Sequence, residues 1–239
     1  VENVKCVLVT NTVQLKAAIN HAYGSTINAQ RYLDKFVKFT IALPDKFNLY
    51  AMKPSTVSIK FFQEQVKNSK ILQQDFLIND RDKTQRFIHR LIEVNSLSLR
   101  EVEAFVRYIE IADILGIKLD QESEWASNVL CILGLFIACF KPQLAIDIQK
   151  NRVKVTDLLN LVQLPKTFQL QAEGSDAVMI ILASELDIES DQYKKMIAEY
   201  DASRSKSIKQ IIFGSFPISS NYCSEQILRV IQSVNLITK

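Results

Sequence analysis

The chain has 239 residues, 48% of them hydrophobic and 23% charged, with a net charge of +3. This is enough apolar material for a sizeable core and enough length for one large or two small domains. The charge gives no global case for a nucleic-acid protein, because a basic footprint needs clustering as well as excess and no block of five or six like charges occurs.

Residues 4–10 read as a buried parallel strand, and residues 37–43 as a second, alternating Val37, Phe39, Ile41 and Leu43 before Pro44 stops the ladder. Between them Leu15, Ala18, Ile19 and Ala22 recur at helical spacing, with Gly24 as the stop. A short helix follows over about 28–36. Together these form a right-handed β-α-β crossover. Two parallel strands cannot bury both faces of a sheet, so further strands are expected upstream of Val1. Residues 45–53 read as a loop.

Beyond that loop the pattern is helical. A helix over 55–72 carries Val57, Phe61, Phe62 and Val66; another over 82–93 carries Phe87, Ile88, Leu91 and Ile92. The next has the clearest start signal. Ser98 and Glu101 form a capping box, and Leu97 and Val102 sit at the two positions of a hydrophobic staple. Leu99, Val102, Phe105, Val106, Ile109 and Ala112 then make one apolar stripe, ended by Gly116. Helices are predicted over 122–140, 143–150, 153–162, 173–187, 190–202 and 220–237, with a boundary near 116–122.

Five glycines and five prolines are too few for a loop-rich or all-β fold. The glycines are too widely spaced for GxGxxG or GxxxxGK(S/T), so these residues contain no phosphate-cradling loop. Cys6, Cys131, Cys139 and Cys223 show no metal-ligand spacing and read as buried, reduced thiols, which suits a cytoplasmic location. No secretory signal is read, and the longest apolar run, residues 129–140, is too short to span a bilayer. Trp125, at the start of that helix, reads as core.

Few residues suggest chemistry. Thr10 and Asn11 stand at the carboxyl end of the first predicted strand, where parallel sheets bind ligands. A short polar side chain there can bond a phosphate oxygen or hold a water; equally, Asn11 or Thr12 can cap the next helix. Lys35 ends a helix, where the dipole alone favours a cation, or it reaches toward a nucleotide's phosphates. Arg100 lies in the first turn of the capped helix, where the dipole disfavours it. It either pairs with a carboxylate or reaches an anion. His21 and His89 are isolated, and no nucleophile–base pair is legible.

The stretches VLVTNTVQL (7–15), YG (23–24), YLDKF (32–36), IALP (41–44) and LSLREVE (97–103) together resemble the second half of the KAP family of P-loop NTPases. Order and spacing agree over residues 4–110. The resemblance implies that Asn11, or Thr10, is a sensor at the end of the strand following the Walker B strand. It further implies that Arg100 is a lid arginine approaching the nucleotide, and that Lys35 acts near a subunit interface. The family usually has Ile or Val where Phe36 stands. The Walker A Lys and Walker B Asp are absent from these residues, so ATP and Mg²⁺ would be held mainly by upstream residues, and this segment alone should not hydrolyse ATP.

The expected fold is therefore mainly α with a small α/β remnant: parallel strands of an incomplete P-loop NTPase sheet (1–53), a helical lid (54–118) and a helical C-terminal module (119–239). The expected function is the C-terminal part of a KAP-like ATPase, coupling ATP to a homo-oligomer or an effector protein in bacterial anti-phage defence. The alternatives are a non-enzymatic helical interaction module, or nucleic-acid binding through Arg204, Lys206 and Lys209.

Overall fold

A computed structural model describes residues 10–24, 27–37, 46–49, 52–72, 77, 82–117, 119, 125–164, 174–186, 191–214 and 219–235. The chain divides into two compact units, Val1–Pro44 and Asp45–Lys239.

In the first unit, α1 (Thr12–Tyr23) starts at Asn11, whose Oδ1 accepts from the N–H groups of Val13 (3.0 Å) and Gln14 (3.2 Å). This satisfies two of the amide donors that any helix start leaves over. Gly24 ends α1 at φ 88°, a conformation costly for a residue with a Cβ. α2 (Ala29–Asp34) is capped by Asn28, which accepts from Arg31 N–H at 3.1 Å. Ile19 and Ala29 are buried where the two helices meet. Rings of Tyr23, Tyr32 and Phe36 run in series, 5.4 Å between centroids at each step.

Of the predicted parallel strands, residues 4–9 and 38–43 lie outside the described residues. Thr10 and Val37 are described, and neither is in a strand. Val37 N–H still donates to Leu33 O at 2.9 Å, so the chain there is finishing a helical turn.

The second unit opens with a correction. The predicted loop over 45–53 contains an antiparallel hairpin, β1 (Lys46–Leu49) and β2 (Met52–Thr56), with Lys46 opposite Thr56 and an irregularity between Phe47 and Leu49. A two-stranded ribbon leaves each strand with a free edge, which is where the missing N–H of Pro54 is tolerated.

The rest of the unit is helical among the described residues. α3 (Val57–Asn68) buries Ile59, Phe62 and Val66. α4 (Lys83–Val94) is capped by Asp82, which accepts from Thr84 N–H at 2.7 Å, and buries Phe87, Ile88, Leu91 and Ile92. It closes through Ser96 at φ 51° with Leu97 N–H donating to Ile92 O at 3.1 Å. α5 (Leu99–Ile114) shows the predicted capping box: Ser98 Oγ accepts from Glu101 N–H, and the Glu101 carboxylate accepts from Ser98 N–H at 2.8 Å. Leu97 and Val102 are both buried, as a staple requires.

α6 (Trp125–Phe140) is apolar on every face, and most of its residues are buried. A helix hydrophobic all round needs neighbours all round. Here they are α4, α5, α7 (Pro142–Gln149), α9 (Ser175–Leu186), α11 (Ile208–Phe213) and above all α12 (Tyr222–Asn235). Phe105 and Phe136 meet edge to face at 5.7 Å. Gly134 lets α12 close in: a Cβ placed there would meet Val230 Cβ at 2.9 Å. Two further helices, α8 (Val155–Asn160) and α10 (Asp191–Ala202), pack on α9. The segments expected as lid and C-terminal module share one continuous core, from Ile59 to Val234.

Among the described residues no single helix is long and apolar enough to cross a membrane. α6 and α7 pass that test only as a pair, and they are bent by 117° at Lys141-Pro142.

Candidate functional site

Thr10, Asn11 and Lys35 lie in the first unit, and Arg100 in the second. All four are exposed. The cap reading of Asn11 is realised: its carbonyl oxygen is committed to α1. Its amide nitrogen keeps two donors, the chemistry that a phosphate oxygen or an attacking water needs. Lys35 is the C-cap of α2, with its backbone N–H bonded to carbonyls of the last turn, as the dipole reading expects. Arg100 occupies the second position of α5, beside the Glu101 carboxylate. That carboxylate's pKa is lowered, first by the Ser98 hydroxyl and then by the Ser98 backbone N–H. Glu101 is thus occupied by the cap. Among the described residues no carboxylate pairs with Arg100 or Lys35.

A groove of about 180 Å³ lies between α3 and α5, lined by Gln65, Asn68, Ser69, Glu103, Arg107 and Glu110 among others. Four of its polar side chains are paired with one another. Ser69 Oγ donates to Glu110 at 2.5 Å and accepts from Leu72 N–H at 3.0 Å, and Arg107 pairs with Glu103 at 2.6 Å. Arg100 does not line it.

Sequence reading missed the most buried ionic contact among the described residues. Glu185, at the end of α9, has a side chain only 3% exposed and receives Lys209 Nζ of α11 at 2.6 Å. Its other oxygen accepts from Ser224 N–H, in the first turn of α12, at 2.8 Å. Glu185 therefore caps a helix that is not its own, and joins three helices. Burial pushes its pKa up, although Lys209 and Ser224 pull the other way. Burial is likewise the main reason the Cys223 thiol beside it is pushed up. The only sequence signal was a carboxylate two residues after an apolar run.

Two of the three C-terminal cations singled out in the sequence, Lys209 and Arg204, have partners within the chain. Lys209 is held by Glu185 and the Ser220 carbonyl, and the Arg204 guanidinium lies 4.4 Å over the Tyr200 ring. Trp125, expected as core, is half-buried with Lys83 Nζ 4.4 Å from its ring centre. The thiols of Cys131 and Cys139 are pushed up by burial to about 11 and about 12, consistent with inert cysteines.

Residues 1–115 match the model of the KAP family P-loop domain. That portion, just under half of the chain, is similar to the P-loop domain of the KAP family, a nucleotide-binding class. Residues 116–239 lie outside the match. Neither the curated proteins nor the solved structures contain a match to this chain.

Proposed function

We propose that this chain is the C-terminal part of a KAP-like ATPase in which residues of the first 115 meet nucleotide phosphates, and the helical remainder passes the bound state to a partner. The observation carrying this reading is Arg100. It stands in the first turn of a helix, against the dipole, exposed and without a carboxylate partner among the described residues. Ion pairing was the competing explanation for its position. A guanidinium so placed has the fork geometry for a phosphate.

The residues present fit ATP and Mg²⁺ only in part. Asn11, Lys35 and Arg100 are N–H donors suited to phosphate oxygens. The sequence has no glycine-rich loop, and no cluster of three metal-ligating side chains occurs among the described residues. In phosphoryl transfer to water the protein's contribution is positioning and charge stabilisation. Here Asn11 orients through its amide nitrogen, and Arg100 and Lys35 supply positive charge. The helices after residue 54 act as the lid, and residues 119–239 as the module that engages an effector or a second copy. The family resemblance favours a role in bacterial anti-phage defence.

The test is steady-state ATP hydrolysis by the full-length protein. Arg100→Ala is expected to lower turnover by roughly a hundredfold, the scale of one lost charge-stabilising donor, with Arg100→Lys recovering little of it. Unchanged turnover in Arg100→Ala would remove the arginine from the nucleotide site.

A further inference from the structure

The chain's positive charge is not evenly distributed. Residues 1–44 hold five cations (Lys5, Lys16, Arg31, Lys35, Lys38) and two carboxylates (Glu2, Asp34), a net of +3 that equals the excess of the whole chain. Charge segregation of this kind marks a surface for a polyanion. The one described carboxylate of this unit is bonded to Gln30 Nε2 at 2.7 Å, and no described cation of the unit is paired.

The same unit carries the ring series Tyr23–Tyr32–Phe36. Its end members are 56% and 70% exposed, unusual for large apolar side chains. Tyr32 and Phe36 are four residues apart, and so are Arg31 and Lys35. On a helical path these pairs make two adjacent stripes, one aromatic and one cationic. Exposed ring faces beside a row of free cations match one chemistry: bases to stack and phosphates to neutralise. A duplex keeps its bases stacked on one another, so only an unpaired strand can use the rings.

We propose that α1, α2 and the turn that ends α2 bind single-stranded nucleic acid, with Tyr23, Tyr32 and Phe36 as the stacking platform and Arg31 and Lys35 on the phosphates. The proposal does not rest on the ATPase reading, and its assay contains no nucleotide in the main arm. The experiment is fluorescence anisotropy of the full chain with a labelled oligothymidylate of about 20 nucleotides, long enough for common site sizes, and with a duplex of equal length. The single strand is expected to bind at least tenfold tighter than the duplex, and to weaken as salt rises. Phe36→Ala, a change at an exposed ring that leaves the helical circular dichroism intact, should weaken binding roughly tenfold. The Arg31→Ala, Lys35→Ala double variant should flatten the salt dependence by about 1.4 in log–log slope, the share of two single-strand phosphates. Lys206→Ala should change nothing. Equal affinity for duplex, an unaffected Phe36→Ala variant, or complete displacement of the strand by equimolar ATP would each overturn the proposal; the last would assign the platform to an adenine ring.

Discussion

Glu185 shows how one residue can serve folding rather than chemistry. Its carboxylate is almost fully buried, yet it holds a lysine and the start of a helix from elsewhere. Burial dominates, so its folded pKa lies above its unfolded value. A raised carboxylate contributes stability that is present below the unfolded pKa and lost as pH rises through the folded one. In urea titrations the stability advantage of wild type over Glu185→Gln should therefore shrink between about pH 4 and pH 7, the interval containing the ordinary carboxylate value and neutrality; an advantage that grows over that range would contradict this account. Ser98 is a simpler case. Ser98→Ala removes the hydroxyl that accepts from Glu101 N–H, keeps the backbone N–H that donates to the Glu101 carboxylate, and should cost about 1 kcal/mol by the same measurement.

At the scale of elements, the close approach of α6 and α12 is the sharpest constraint. Gly134→Ala would gain up to about 1 kcal/mol of helix propensity. It would also force a methyl against Val230, a β-branched side chain with little freedom to move. Overpacking of this kind costs about 1–3 kcal/mol, so net destabilisation is expected in thermal unfolding. Val230→Ala in the same chain should recover part of the loss, a coupling that independent sites would not show.

The helices of this unit were largely legible in the sequence, because each buries a stripe at helical spacing and several carry side-chain caps. Asp82 and Ser98 were readable for that reason. α11 was missed although Ser207 and Gln210 form a second capping box, because only six residues follow and no long stripe accompanies them. The hairpin was missed because residues 46–56 contain Pro54 and no clean alternation. The Glu185–Lys209 pair was illegible in principle: it joins positions 24 residues apart on separate helices, and spacing rules reach only one turn. At the candidate site, the caps at Asn11 and Lys35 were legible, and so was the anomaly at Arg100.

For the molecule as a whole, the charge and the core are segregated. Residues 1–44 carry all of the net charge and expose the rings of Tyr23 and Phe36, whereas residues 45–239 are electrically neutral and their described part is built around α6. The family match covers the first part and the beginning of the second. This division suits a nucleotide-responsive part joined to a helical one. The central claim is that the N-terminal part contributes donors to a nucleotide and does not merely pack. Asn11 tests it most directly, because its two roles use different atoms. Asn11→Asp keeps the oxygen that caps α1 and removes the amide donors. Measured on the full-length protein, ATP turnover should fall by roughly a hundredfold in Asn11→Asp while the melting temperature holds. Turnover equal to wild type in a folded Asn11→Asp protein would leave Asn11 as a helix cap alone and contradict the account.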